Sequence, residues 1–240
     1  MKVSYREKSK IKLWMVISVL LVVFVFQIIF TPLFFKVKHV NISGQAYLTK
    51  NEILQISQIE LGKPLVTLST SKAVKNLLAN SWIKDVKVEK AWPNEVNISV
   101  TERVPSLAIP YKNQFLMISK DGYVIEIKND YSTVNLPILN GYVVDEIEVN
   151  QQVMSKEQWE LVDKIYTNLP NNVLSILSEI YWYRDLVELF TDDGLKISLG
   201  DIKDFDYVRL KMLPEILKNI SKEDKGYLDL SGIYAVFRKL

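Results

Sequence analysis

Residues 85–105, DVKVEKAWPNEVNISVTERVP, alternate apolar and polar side chains on both sides of a Trp-Pro-Asn break. Val86 and Val88 alternate with Lys87 and Glu89. Val96, Ile98 and Val100 alternate with Asn97, Ser99 and Thr101. A period of two predicts a β-hairpin with one buried face. Upstream, KVKHVNIS (36–43) carries Val37, His39/Val40 and Ile42 in the same rhythm and stops at Gly44. LTKNEILQIS (48–57) switches to helical spacing. Thr49 and Glu52 form a Thr-x-x-Glu capping box, and Ile53 and Ile56 share a face. STSKAVKNLLANSW (69–82) offers Ser71 as an N-cap, with Val74, Leu77 and Leu78 at i, i+3 and i+4. The order strand, helix, helix, strand, strand predicts a two-layer α+β domain over 36–104, with Trp82 and Ile83 adding bulk.

Residues 105–240 are dominated by strand patterns. QFLMIS and YVIEI flank the turn Lys120-Asp121-Gly122, and LVELFT and LKISLG flank Asp192-Asp193-Gly194. SEIYWYR precedes the second pair. Two helices interrupt. The first, 155–169, opens on a Ser155-x-x-Gln158 box and aligns Trp159, Val162, Ile165, Tyr166 and Leu169. The second, 204–220, aligns Leu210, Leu213, Leu217 and Ile220, and Pro214 should kink it or mark its start. YLDL, a Ser231-Gly232 turn and IYAVFRK (233–239) end the pattern, predicting a mainly antiparallel β domain over 105–240. Tyr234, Val236 and Arg238 point to one side of that last strand, and Ile233, Ala235, Phe237 and Lys239 to the other. A last strand at a sheet edge can accept a partner strand; the alternative is that it simply closes the sheet.

The pattern breaks altogether in LWMVISVLLVVFVFQIIF (13–30), which has no charge and only Ser18 and Gln27 as polar side chains. With Ile11 and Leu33–Phe35 it reaches the roughly 20 apolar residues that a bilayer core requires. Five basic residues and one acidic residue fill positions 1–12, so this tail is expected in the cytoplasm. A cleaved signal peptide fits less well: the apolar run is long, and no small-x-small site follows it. The expectation is a type II single-pass anchor at 13–35, with residues 36–240 outside the cell membrane.

Composition narrows the chemistry. The length of 240 residues allows about two small domains. The net charge of +2 comes from the tail, and basic residues elsewhere interleave with acidic ones, which argues against nucleic acid. With no Cys and one His, neither a disulfide framework nor a thiolate metal site is available, and a zinc site would need almost only carboxylates. His39 reads as a strand-surface residue rather than a triad member. Asp192-Asp193 reads as a turn rather than an acid–base pair. The glycines lie singly, so no phosphate loop is present, and Trp82, Trp92, Trp159 and Trp182 read as packing residues. No catalytic residue, cofactor or metal is expected.

Several of these segments resemble the FtsQ/DivIB family of bacterial cell-division proteins, whose first outer domain is a POTRA domain. Gly44, Trp92, Pro93, Asn94, Ile98, Val100, Glu102, Arg103 and Pro105 stand where the family motif has them. Gln45 replaces a usual Asn, and Asp85 stands where a small residue is common. FLMISKDGYVIE, NLPILNG, DDGLKISLG and GYLDL resemble the family's later motifs. The resemblance implies a non-enzymatic divisome scaffold in the plasma membrane at the septum. It would bind the outer segments of FtsL and DivIC/FtsB, with a septal peptidoglycan synthase among its wider partners. It also implies pairing of a partner strand with the last strand, here Ile233, Tyr234, Ala235, Val236, Phe237 and Arg238. Two rivals are a POTRA-bearing secretion or transport component and an anchored cell-wall enzyme. Neither the repeated POTRA units of the first nor a motif for the second is present.

Overall fold

The computed structural model describes residues 5–130, 136–220 and 225–239, and the side chains of these except 5–11 and 27–34. The chain divides into two compact units at the bond between Glu102 and Arg103.

The first unit opens with helix α1 (Tyr5–Phe34). Every described side chain of α1, 12–26, is exposed, and all but Lys12 and Ser18 are apolar. Among the described residues no helix is long and apolar enough to cross a membrane. Of the anchor expected at 13–35, the side chains of 27–34 lie outside the described residues.

Strand β1 (His39–Ser43), helices α2 (Lys50–Ser57) and α3 (Thr70–Leu78), and strands β2 (Ile83–Ala91) and β3 (Glu95–Glu102) follow in the expected order. The sheet order is β1-β3-β2, with β3 antiparallel to β2 and parallel to β1. Val86 faces Val100, and Val88 faces Ile98, across the hairpin. These side chains join Val96, Ile42, Ile53 and Leu77 in the core of the unit. Each such apolar side chain contributes about 1.5–3 kcal/mol when fully buried. The capping box of α2 is formed: Glu52 N–H donates to Thr49 Oγ1 at 3.3 Å, and Thr49 N–H to Glu52 Oε2 at 2.7 Å. That backbone bond from Thr49 holds the exposed Glu52 carboxyl below its ordinary range.

The cap of α3 differs from the expectation. It is Ser69, not Ser71, whose side chain accepts from Lys72 N–H. Helix α3 therefore starts earlier and seats Ala73 and Leu77 in the core, leaving Leu78 38% exposed. Gly44 is needed where it stands: its φ is +86°, and a Cβ would lie 2.1 Å from the Val100 carbonyl oxygen.

The second unit is built on β4 (Pro105–Tyr111), β5 (Gln114–Ser119), β6 (Val124–Lys128), β7 (Ile138–Asn140), β8 (Leu177–Tyr183), β9 (Leu186–Thr191), β10 (Lys196–Asp201), β11 (Gly226–Asp229) and β12 (Val236–Lys239). Among the described residues these make one sheet, ordered β12-β11-β10-β9-β8-β7-β4-β5-β6. Most neighbours are antiparallel, but β4/β7, β7/β8 and β10/β11 are parallel. Helix α4 (Lys156–Asn168) starts at the expected Ser155–Gln158 box. It packs Trp159, Val162 and Ile165 into the core with Leu107, Ile118 and Ile180. Short α5 (Asn171–Leu174) follows. The helix expected over 204–220 is two pieces, a 3-10 helix at Tyr207–Met212 and α6 (Leu213–Lys218). Pro214 stands in the first turn of α6, where its missing N–H has no helical partner to lose.

Candidate functional site

Trp159 and Tyr166 of α4 border a cavity of about 410 Å³, together with Pro105, Lys120, Asp163 and Leu174. Asp163 is its one carboxylate among the described residues. Trp159 Nε1–H donates to the Lys120 carbonyl at 2.8 Å, and the Tyr166 hydroxyl to the Ser106 carbonyl at 3.0 Å. Burial pushes the Tyr166 phenol up from its ordinary value. It stays protonated and serves as a packing and hydrogen-bonding group. Among the described residues no group of three or more His, Asp or Glu could hold a metal ion. His39 is exposed on β1, opposite Glu95 in register. Asp192 and Asp193 lie in the turn between β9 and β10, where Thr191 Oγ1–H donates to Asp193 Oδ1.

Strand β12, the closing strand of the sheet, presents a different surface. Among the described residues its one strand neighbour is β11, with Gly226 opposite Lys239, Leu228 opposite Phe237 and Asp229 opposite Val236. The strand is shorter than the expected 233–239: Ile233 and Tyr234 precede it in a bend, and Ala235 links them to it. The bend exists because two groups gather the chain there. Asp229 Oδ1 accepts from Ser231 N–H at 2.9 Å and from Ser231 Oγ–H at 2.6 Å. The Arg209 guanidinium of the 3-10 helix donates to the carbonyls of Leu230, Gly232 and Ile233. Hydrogen bonds from Ser231, first through its hydroxyl and then through its N–H, hold the Asp229 carboxyl below its ordinary range. With three carbonyls of 230–233 turned to Arg209 the chain runs irregularly there, and the strand starts at Val236.

The side chains divide accordingly. Phe237 packs against the core of the unit. Gly226 makes room for it, since a Cβ there would lie 2.4 Å from the Phe237 ring. Ile233 is 90% exposed, Tyr234 80% and Val236 44%, with Ala235 and Arg238 also exposed. The structure thus brings all six expected residues to one edge but turns only Phe237 inward. Arg209 and Gly226 escaped the sequence reading. The partners of Arg209 lie 21–24 residues away, beyond any local pattern. The Ser231-Gly232 turn read from the sequence and the Asp-x-Ser spacing of Asp229 and Ser231 are the local signals of the bend.

Two family models match. Residues 35–103 match the POTRA domain of FtsQ type, and residues 108–231 match the C-terminal domain of cell division protein FtsQ/DivIB. The chain belongs to the FtsQ/DivIB family. It is 26% identical over 212 residues to cell division protein DivIB of Staphylococcus aureus (strain NCTC 8325), covering 84% of this chain and 45% of that protein. It is 24% identical over 231 residues to DivIB of Clostridium botulinum (strain Hall), covering 94% and 90%. The chain therefore spans about half the length of the staphylococcal relative and most of the clostridial one. A solved chain, the major extracytoplasmic domain of DivIB from Geobacillus stearothermophilus, aligns with 50% of this chain and 99% of its own length. Its TM-score is 0.30 and its identity 16%, too low to bear on the fold. The C-terminal family match ends at residue 231, so Ile233–Arg238 lie beyond it.

Proposed function

We propose that this protein is a non-enzymatic scaffold of the division septum that binds the outer segments of FtsL and DivIC/FtsB through Ile233–Arg238. Residues 1–12 lie in the cytoplasm and 13–35 form a single-pass type II anchor in the plasma membrane. A POTRA domain (36–104) and a β domain (105–240) lie outside, and a septal peptidoglycan synthase belongs to the wider assembly.

The observation that carries the docking claim is the exposed edge. An edge strand offers backbone N–H and C=O groups to an added strand. Next to it, two large apolar side chains, Ile233 and Tyr234, are at least 80% exposed. Water-exposed apolar groups so placed mark interaction surfaces. Membership in a cell-division family supports the setting. The anchor is supported by α1, whose apolar side chains from Leu13 to Phe26 are 43–70% exposed. So large an apolar surface is unfavourable in water and is covered by lipid in the proposed state.

The test is a titration of the full chain, held in lipid nanodiscs, against soluble outer segments of FtsL and DivIC/FtsB. A chain ending at Leu230 and the point variant Tyr234→Ala run in parallel, each checked by circular dichroism. Binding by the intact chain, lost on truncation and weakened about tenfold or more by Tyr234→Ala, supports the edge as the site; central aromatic anchors typically contribute 2 kcal/mol or more, about thirtyfold. Absence of binding by the intact chain, or equal binding by the truncated one, overturns it.

A further inference from the structure

The POTRA unit has one end on which the chain coming from α1 converges with the tip of the β2–β3 hairpin. Parallel pairing sets His39 opposite Glu95, so the start of β1 lies beside the start of β3 and next to the hairpin tip. Lys38 N–H donates to the Asn94 carbonyl at 2.8 Å. The 61–66 loop closes on the same segment: Val37 N–H donates to the Lys63 carbonyl at 2.9 Å, and Leu65 N–H to the Phe35 carbonyl at 2.6 Å. Phe35, one residue beyond α1, meets Trp92 edge to face with ring centres 5.4 Å apart. Trp92 nevertheless remains 57% exposed, and Val66 52%. Lys90 Nζ donates to the Val66 carbonyl at 3.1 Å.

This end therefore combines exposed apolar side chains with Lys36, Lys38, Lys63 and Lys90. The acidic groups here are Glu60, which pairs with Lys63 at 3.4 Å, Glu95, which accepts from Asn41, and Glu89, which pairs with Lys87 at 2.8 Å. Basic charge remains in excess. A core reading does not account for the tip, because Trp92 packs against nothing but Phe35 among the described ring contacts.

We infer that this end of the POTRA unit is a membrane-contact platform: Trp92, Phe35 and Val66 enter the headgroup region while Lys36, Lys38 and Lys90 meet anionic lipid. The inference rests on the proposed anchor, since Phe35 is its last residue and leaves no chain length with which to hold the tip away from the bilayer. Tryptophan is favoured at the membrane–water interface because its ring is apolar and its N–H polar. Lysines within a Debye length of an anionic surface are attracted to it. The occupant is the bilayer and not a protein groove, because the apolar tip and the lysines surround the point at which the chain enters the anchor. The platform fixes how the POTRA unit stands over the membrane and makes its orientation sensitive to lipid charge.

The test uses the full chain in vesicles of phosphatidylcholine, with or without phosphatidylglycerol, carrying acyl chains brominated near the headgroup. Comparison with Trp92→Phe isolates the fluorescence of Trp92, and comparison with Trp14→Phe isolates that of the anchor. The expected result is quenching of Trp92 in vesicles containing phosphatidylglycerol, lost at high salt and in the variant Lys36→Gln/Lys38→Gln/Lys90→Gln. Quenching of Trp14 without quenching of Trp92 overturns the platform and leaves the anchor standing. Absence of quenching at Trp14 overturns both. Trp92 quenching that ignores phosphatidylglycerol and the lysines overturns the role given to anionic lipid.

Discussion

Glu102 is 8% exposed and accepts backbone N–H groups from Ala46 and Tyr47 on one carboxylate oxygen and from Leu48 on the other, at 2.6–3.0 Å. Three donors from one loop converge on a single side chain at the end of β3. Buried N–H groups need partners, and a carboxylate supplies them best because it has only acceptors. Glu102→Gln turns one of those oxygens into an amide donor facing an N–H group. Thermal unfolding is expected to show a loss of about 2 kcal/mol, the usual scale for hydrogen bonds to a charged group; an unchanged melting temperature would contradict this role. The next residue, Arg103, is buried in the other unit, stacked 4.4 Å from the centre of the Tyr123 ring and bonded to Asn150 at 3.1 Å. The adjacent Glu and Arg of the family motif thus each organise a different unit. The motif is visible in the sequence, but its division of labour is not, because every partner is distant along the chain.

At the scale of elements, the 3-10 helix and the β11–β12 connection depend on one another through Arg209. Its guanidinium donates to three carbonyls of 230–233, and Leu230, 1% exposed, is the apolar plug beneath them. Arg209→Ala removes all three bonds, each contributing roughly 1 kcal/mol or more. Hydrogen exchange is expected to rise in 231–239 while protection in β9 and β10 is retained. If the edge is the docking site, partner affinity falls with it, because a loosened segment must be ordered again on binding. Unchanged exchange in 231–239 would remove Arg209 from this account. Capping boxes and the Pro214 break were legible from local sequence because they join residues within four positions. The short β12 was not, since what shortens it comes from another helix.

At the scale of the molecule, two separate hydrophobic cores stand on either side of Glu102–Arg103. Ile98 and Ile165 are fully buried, one in each core. Truncating either to Ala is expected to cost about 2–5 kcal/mol. By hydrogen exchange, Ile98→Ala should destabilise 39–102 and Ile165→Ala should destabilise 105–239, each sparing the other unit. Loss of protection across both units from either substitution would instead show a single cooperative structure. The order of the POTRA elements was readable because each has a clear period, cap or turn signal. The topology of the second sheet was not: the three residues of β7 carry no usable period, yet they sit between β4 and β8.

Sequence alone determined most of the strands and helices, β4, β7 and α5 excepted, where many of them start, that 13–30 carries no charge, and which family motifs are present. These properties depend on neighbours along the chain, on side-chain period, backbone preference and short-range hydrogen bonds. Only the tertiary structure decided the parallel pairing of β1 with β3, the placement of Trp92 beside Phe35, and the Arg209 clasp ahead of the last strand, which starts at Val236. Each of these joins residues more than twenty positions apart, and only packing and pairing across the folded chain select such partners.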